Sequence, residues 1–447
     1  MTVKAIRMSR REFLRVAGIG AAAAFLAGCQ GKATTEPETT TEEGAGPDSY
    51  TIYHWAEGYI NSTSTSFKQE YLDAALAAFH EKFPNVTVVC EDHGWDEALR
   101  QNLVTALLGG TAPDAIVGEN FFQQYGDLGA LVPLDDYIQD IKDNLIPGTY
   151  AASVTQGQTF GINQFTGCFG FETNPNVVEK AGLDPTVAPK TWDDLLANAE
   201  AITKAGNGEY FGYTLQGPVG FSVGGIFRIA VYLKQAAADI IKEDGAPWFD
   251  NAKTVPVLDF LRKINKFTPP GLTFNPDEGQ VYTQLFKGIS AYQICGSWHV
   301  SWAKESGLDN ATYGGVPIPK DGQPASVVVG NVINAVMKVS KHPEAAAEWI
   351  KVFTQDSVQD MVNPVLGRMP STKSALNKLK ATAGPADLAF INELLTADLG
   401  ILPQWRKEPQ KLWTIYNDML TQLLSTEDPI DGLIATAQQQ AVEALGM

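Results

Sequence analysis

An α/β architecture of at least two packed units is what this sequence predicts, and three observations carry the expectation. The chain has 447 residues, more than one ordinary hydrophobic core accommodates. It is 44% hydrophobic and 19% charged, which supplies ample apolar area for globular folding. From Tyr50 to Gly118 strand and helix patterns alternate, and alternation of that kind specifies a mainly parallel sheet covered by helices.

The elements follow in order. "YTIYHW" (50–55) reads as a strand. In "EYLDAALAAFHEKF" (70–83), Leu72, Ala75, Leu76, Phe79 and Phe83 recur at helical spacing before Pro84 ends the run. "NVTVVCE" (85–91) alternates as a strand does, "WDEALRQNLVTALLGG" places Leu99, Leu103 and Leu107 on one helix face, and "PDAIVG" (113–118) is the next strand. A second α/β unit begins at "TFGINQFTGCFGFE" (159–172). It continues through "TWDDLLANAEAI", where Thr191 and Asp194 have the spacing of a capping box, to "AYQICGSW". "ASVVVGNVINAVM" (325–337) reads as one strand, and "HPEAAAEWIKVF" as a helix with Pro343 in its first turn. From about 385 the periodicity is helical throughout, and no internal repeat of fixed period is present.

The formal net charge is −18; residues 1–28 carry +4, which leaves −22 on residues 29–447. Such a surface repels nucleic acid and anionic lipid headgroups, so no nucleic-acid partner is expected.

The first thirty residues are an address. "SRREFLR" is basic, the apolar run from Val16 to Ala27 has twelve residues, and small residues then lead to Cys29. Twelve is far short of the roughly 20 that a membrane-spanning helix needs, so residues 1–28 read as an export signal peptide. Ser9-Arg10-Arg11-Glu12-Phe13-Leu14 resembles the twin-arginine export motif, and Leu26-Ala27-Gly28-Cys29 resembles a bacterial lipobox. Cleavage before Cys29 would leave its thiol to carry lipid and hold the protein on the extracytoplasmic side of a bacterial membrane. Residues 29–49 are rich in Thr, Glu, Pro and Gly, the composition of a disordered linker. Cys90, Cys168 and Cys295 each lie in an apolar run, as three buried thiols or as one disulfide and an orphan. A disulfide framework is excluded.

Ligands of open α/β sheets bind beyond the carboxyl ends of the strands. The residues there are Trp55, Glu57, Trp95, Glu119, Asn120, Gln164, Phe165, Gln216, Phe221, Trp298, His299 and Asn331. They mix aromatic rings with carboxylates and amides. The C–H faces of a pyranose stack on rings, and its hydroxyls need donors and acceptors, so the mixture suits a neutral polyhydroxylated ligand. Trp302, one helical turn beyond Trp298, is expected to pack behind it.

With lipobox, linker and strand ends in view, the chain resembles the family 1 extracellular solute-binding proteins, the sugar-capturing lipoproteins of ATP-driven (ABC) importers. The stretches that carry the resemblance are "FHEKFPNVTV", "GGTAPDAIVGENFFQQYGDLGALVPLDDYI", "PKTWDDLL", "LFKGISAYQICGSW" and "VSKHPEAAAEWIKVFTQDSVQDMV". The resemblance implies a two-lobed periplasmic-binding-protein-like fold (type II), with a hinge between two mainly parallel-sheet lobes: residues 50–160 with 315–367, and 161–314 with 368–447. It implies capture of a mono- or oligosaccharide between the lobes, delivery to permease subunits, a monomeric state and no catalysis. By position, Glu119 and Asn120 fall where maltodextrin-binding relatives place a ligand carboxylate and Trp298 where they place a stacking ring. Glu57 falls near a first-loop acid, and Trp413, with Trp405 competing, near a second ring. "GFETNPNVV" keeps only Asn174, and "INQFTG" has Gln164 and Phe165 where relatives often carry an acid.

Other chemistries fare worse. "GFSVG" (220–224), with Asp309 and His342 following, matches a nucleophile motif, but Gly217 and Pro218 break the strand that an elbow requires. Glu57 and Glu119 as a glycosidase pair is the remote enzymatic alternative. A polyol, glycerol phosphate or other small solute is the alternative ligand; an anion would call for clustered cations, and Arg368 is the suggestive one. The five histidines show no ligand spacing, so neither metal nor cofactor is expected.

Overall fold

The computed structural model describes residues 49–446 apart from 95, 119–121, 147, 219–222, 243, 402–404 and 406–407, and for 96, 97, 223, 224 and 409 the backbone alone. The expected signal peptide, Cys29 and the linker up to residue 48 lie outside the described residues.

Two sheets form the body. The first has the order Val86–Glu91, Tyr50–Trp55, Ala115–Gly118, Val332–Val336, Ile162–Phe165. The second has the order Thr312–Gly314, Phe169–Thr173, Ser290–Gly296, Phe211–Thr214. Each sheet packs its helices around a separate apolar core, and the chain is two-lobed. The local signals read from sequence operate as expected. Thr191 Oγ1 accepts from Asp194 N at 3.1 Å, while Asp194 Oδ2 accepts from Thr191 N at 3.0 Å. Both orphan donors are thereby satisfied at the start of Trp192–Gly206. Pro343 opens the helix Pro343–Val352, whose inner face buries Trp349 and Ile350.

The lobes are not mainly parallel, which corrects one expectation. In the first sheet the three N-terminal strands pair in parallel, but Val332–Val336 runs antiparallel to both its neighbours. In the second sheet the pair Phe211–Thr214 with Ser290–Gly296 is parallel, and the pairings of Phe169–Thr173 are antiparallel. The reason is topological. A strand that returns from the opposite lobe enters its sheet from the far end, with no helical crossover to restore its direction.

The crossings also correct the lobe boundaries. The run 159–172 is two strands in different sheets, Ile162–Phe165 and Phe169–Thr173, joined through 166–168. The run 325–337 is likewise split. Ala325–Val327 pairs with Asp398–Gly400, a strand inside the stretch expected to be wholly helical, and Val332–Val336 belongs to the first sheet. Residues 162–165 thus join the first lobe, whereas Ile318, bonded to Lys190 and Trp192, and Val327, packed in the second core, join the second. The crossing segments lie side by side, with Val329 N donating to Gly167 O at 3.1 Å and Thr166 N to Met369 O at 2.9 Å. A Cβ on Gly167 would stand 2.6 Å from the carbonyl oxygen of Val329, so the approach requires glycine. Cys90, Cys168 and Cys295 are free thiols. Among the described residues no helix is long and apolar enough to cross a membrane.

Candidate ligand-binding site between the lobes

The first strand ends at Trp55, and the chain turns immediately, bringing Glu57 and Tyr59 to the junction of the lobes. Glu57 is buried, and its carboxylate accepts from Tyr59 N and, at 2.8 Å, from Gln164 Nε2. Burial raises the pKa of Glu57 to about 7, against the opposing pull of those two hydrogen bonds and of the Arg368 charge. Gln164 is itself held. Asn334 Nδ2 donates to Gln164 Oε1 at 3.1 Å, and Asn334 Oδ1 lies 3.0 Å from His54 Nε2. Trp349 Nε1 donates to His54 Nδ1 at 3.1 Å, which makes Nε2 the protonated nitrogen of a neutral imidazole that donates to Asn334. Burial lowers the pKa of His54 to about 4, consistent with that neutral form.

Across the junction, Arg368 gathers residues of both lobes. Its Nε donates to Tyr59 Oη at 3.1 Å, and its guanidinium lies 5.1 Å from the Trp298 ring, 5.8 Å from Tyr59 and 5.9 Å from Phe165. Trp298 is half-buried and seated against two glycines. A Cβ on Gly296 would come within 2.1 Å of its ring, and one on Gly330 within 2.5 Å. Phe165 is buried and meets Tyr59 edge to face, with ring centres 5.7 Å apart. Glu57, Gln164, Phe165, Trp298 and Arg368 are therefore brought together, and they combine a ring face, a carboxylate and a guanidinium.

Other candidates serve different neighbours. Trp55 is buried and stacks on His93 at 3.8 Å. Asn331 is buried, donating to Thr149 O at 2.6 Å and accepting from Asn163. Gln216 is buried and accepts from Arg228 at 3.2 Å and from Tyr282 at 2.8 Å. Trp413 is half-buried and meets the buried Trp405 edge to face, so of that pair Trp413 keeps the open surface. His299 is sealed from solvent, with Nδ1 2.9 Å from Glu172 Oε2. Trp302 packs against Trp298 as expected, edge to face with ring centres 6.4 Å apart, and also stacks on His299 while remaining 38% exposed. Trp95, Glu119, Asn120, Phe221 and the "GFSVG" motif, whose described portion is limited to the backbone at 223–224, lie outside the residues whose side chains are described.

Tyr59, Arg228 and Tyr282 were not singled out from sequence. Arg228 had a usable signal, a lone cation in the apolar run "VGGIFRIAVYL"; it is buried, with Nε donating to Ile294 O at 3.1 Å. Tyr59, two residues past Glu57, carried none beyond its aromatic ring.

The model of the bacterial extracellular solute-binding protein family matches residues 61–360. The chain belongs to that family. Among relatives of this solute-binding protein, a binding protein of Brucella abortus is 27% identical over 349 residues, covering 75% of this chain and 81% of its own. The arabinooligosaccharide-binding protein of Halalkalibacterium halodurans is 22% identical over 316 residues, covering 66% of this chain and 67% of its own. The crystal structure of a cyclic α-maltosyl-1,6-maltose binding protein from Arthrobacter globiformis superposes with a TM-score of 0.75 at 21% identity, over 90% of this chain and 99% of that one. The sugar-binding protein MalE of Xanthomonas citri gives 0.75 at 18% identity, over 89% and 98%. At such identities the likeness establishes the two-lobed fold of the solute-binding protein.

Proposed function

We propose that this solute-binding protein captures a mono- or oligosaccharide between its lobes and presents it to the permease subunits of an ABC importer, acting as a monomer and catalysing nothing. The observation that carries the reading is the meeting of Trp298, Arg368 and Tyr59 with the Glu57 carboxylate where the chain crosses between lobes. A ring face takes the apolar side of a pyranose, and the carboxylate and guanidinium take its hydroxyls. Once ionised, above its pKa of about 7, Glu57 offsets the charge of Arg368, which favours a neutral ligand over a glycerol phosphate or other anion. Relatives described as binding arabinooligosaccharide and diacetylchitobiose support the same class. Closure over one ligand that touches both faces shifts an open population to a shut one, which is the form a transporter can read.

A thermal-shift panel of saccharides and polyols tests the reading. Ligand at about 100 times Kd should stabilise the native state by about 2.7 kcal/mol; no response to any carbohydrate would overturn it. The protein works outside the cytoplasm, tethered by lipid at Cys29 after removal of residues 1–28. Cys29→Ser should release it from the detergent phase of a membrane extract, and a variant that partitions as the native chain does would remove the tether from the proposal.

A further inference from the structure

One cluster on the second sheet is not used by carbohydrate capture. Strand pairing sets Glu172 opposite Gln293 and Gly170 opposite Cys295, so Glu172, Gln293 and Cys295 share one face of the sheet. His299, at the start of the helix His299–Glu305, comes over the same strand. Donor atoms of Glu172, Cys295 and His299 all lie within 4.8 Å of one another, and the three side chains are fully buried.

The cluster is incompletely satisfied. Gln293 Nε2 donates to Glu172 Oε2 at 2.7 Å, and His299 Nδ1 lies 2.9 Å from the same oxygen. By hydrogen-bond geometry His299 Nε2, Gln293 Oε1 and Glu172 Oε1 are unpaired among the described residues, with the Tyr313 hydroxyl as the nearest further donor to the Glu172 carboxylate. A carboxylate removed from water is stabilised by positive charge nearby; the Arg228 guanidinium lies over the adjoining Tyr282 ring, 4.2 Å from its centre, and a cation held by the carboxylate itself would add to it.

We propose that Glu172, Cys295 and His299 form a site for one divalent cation of the zinc class. Thiolate, imidazole and carboxylate together are the donor set that such borderline cations prefer. One thiolate and one carboxylate cancel a charge of +2, leaving a neutral buried complex. Binding releases the Cys295 thiol proton to solvent, so uptake strengthens as pH rises. Because His299 directly follows Trp298, the cation would also pin the ring-bearing turn to the sheet.

The test is refolding of the full chain with cobalt(II), followed by absorption spectroscopy, and zinc analysis of the protein as purified. One metal per chain and a thiolate-to-cobalt charge-transfer band are expected. Cys295→Ser should abolish the band, Glu172→Gln and His299→Gln should weaken uptake at least ~10-fold, and Cys168→Ser should keep both band and stoichiometry. Folded native-sequence protein that contains no zinc and shows no thiolate band overturns the site, whatever the variants do. A band that survives Cys295→Ser and disappears in Cys168→Ser overturns it too. Metal-free protein that still responds to sugar overturns this site and leaves the carbohydrate reading intact.

Discussion

Gln164 donates its side-chain amide to Glu57 Oε1 at 2.8 Å, and this bond is the last of four that run in one direction from Trp349 through His54 and Asn334. Every donor points toward the carboxylate. The series is buried along its length and ties the interior of the first lobe to the junction.

Breaking the series in the middle should be costly. Asn334→Leu leaves the His54 N–H and the Gln164 carbonyl unpaired in a dry core, for an expected loss of about 2 to 4 kcal/mol. Urea denaturation reads it; a loss under about 0.5 kcal/mol would show that water or repacking replaces the missing amide.

The two titratable members of the series have opposite pH signatures. The pKa of Glu57 is raised from 4.5 to about 7, so the native state retains a proton that the unfolded chain has lost, and stability falls as pH rises through that window. The pKa of His54 is lowered from 6.5 to about 4, so its contribution is complete above pH 6.5 and lost as pH falls toward 4. Glu57→Gln removes the first effect alone. Relative to the native sequence, the variant should therefore gain about 1 to 3 kcal/mol between pH 5 and pH 8. A difference in urea midpoint that is the same at both values would return Glu57 to the ordinary carboxylate range.

Trp298 should matter through its placement as well as its presence. Trp298→Ala is expected to cost about 1 to 3 kcal/mol of saccharide affinity. Gly296→Ala, whose Cβ would stand 2.1 Å from the ring, should displace the indole and weaken binding in the same direction. Calorimetric titration with the best ligand of the panel decides; native affinity in both variants would remove Trp298 from the site.

Gly212 offers a control away from the junction. Its strand packs so closely on the helix Trp192–Gly206 that a Cβ would lie 2.2 Å from Ala199 Cα, a backbone atom with no freedom to yield. Gly212→Ala should destabilise by about 2 kcal/mol or more, lowering the thermal midpoint, while saccharide affinity measured well below that midpoint stays within about twofold of native. An unchanged midpoint would mean that the strand and helix separate at little cost.

The sequence by itself determined the features that depend on near neighbours: the α/β class, the helix starting at the Thr191 capping box, Pro343 in a first turn, and the strands about Tyr53, Val88 and Ile116. Periodicity and capping are local, because each reports which side of one element is dry or how one end is satisfied. Of the junction, Glu57, Gln164, Phe165 and Trp298 were legible as polar or aromatic residues near strand ends, and Arg368 only as the cation that an anionic ligand would call for. The tertiary structure alone decided the rest. The runs 159–172 and 325–337 each look like one strand, yet both change sheets at their middle, with Gly167 and Gly330 as the sole local marks of the crossing. His299 read as a residue facing the cleft, but it turns inward to Glu172, whose carboxylate arrives from a different strand 127 positions away. Pairing register brings Glu172, Cys295 and His299 together, and register is a long-range property: it follows from which strand lies beside which, and no pattern within either segment encodes it.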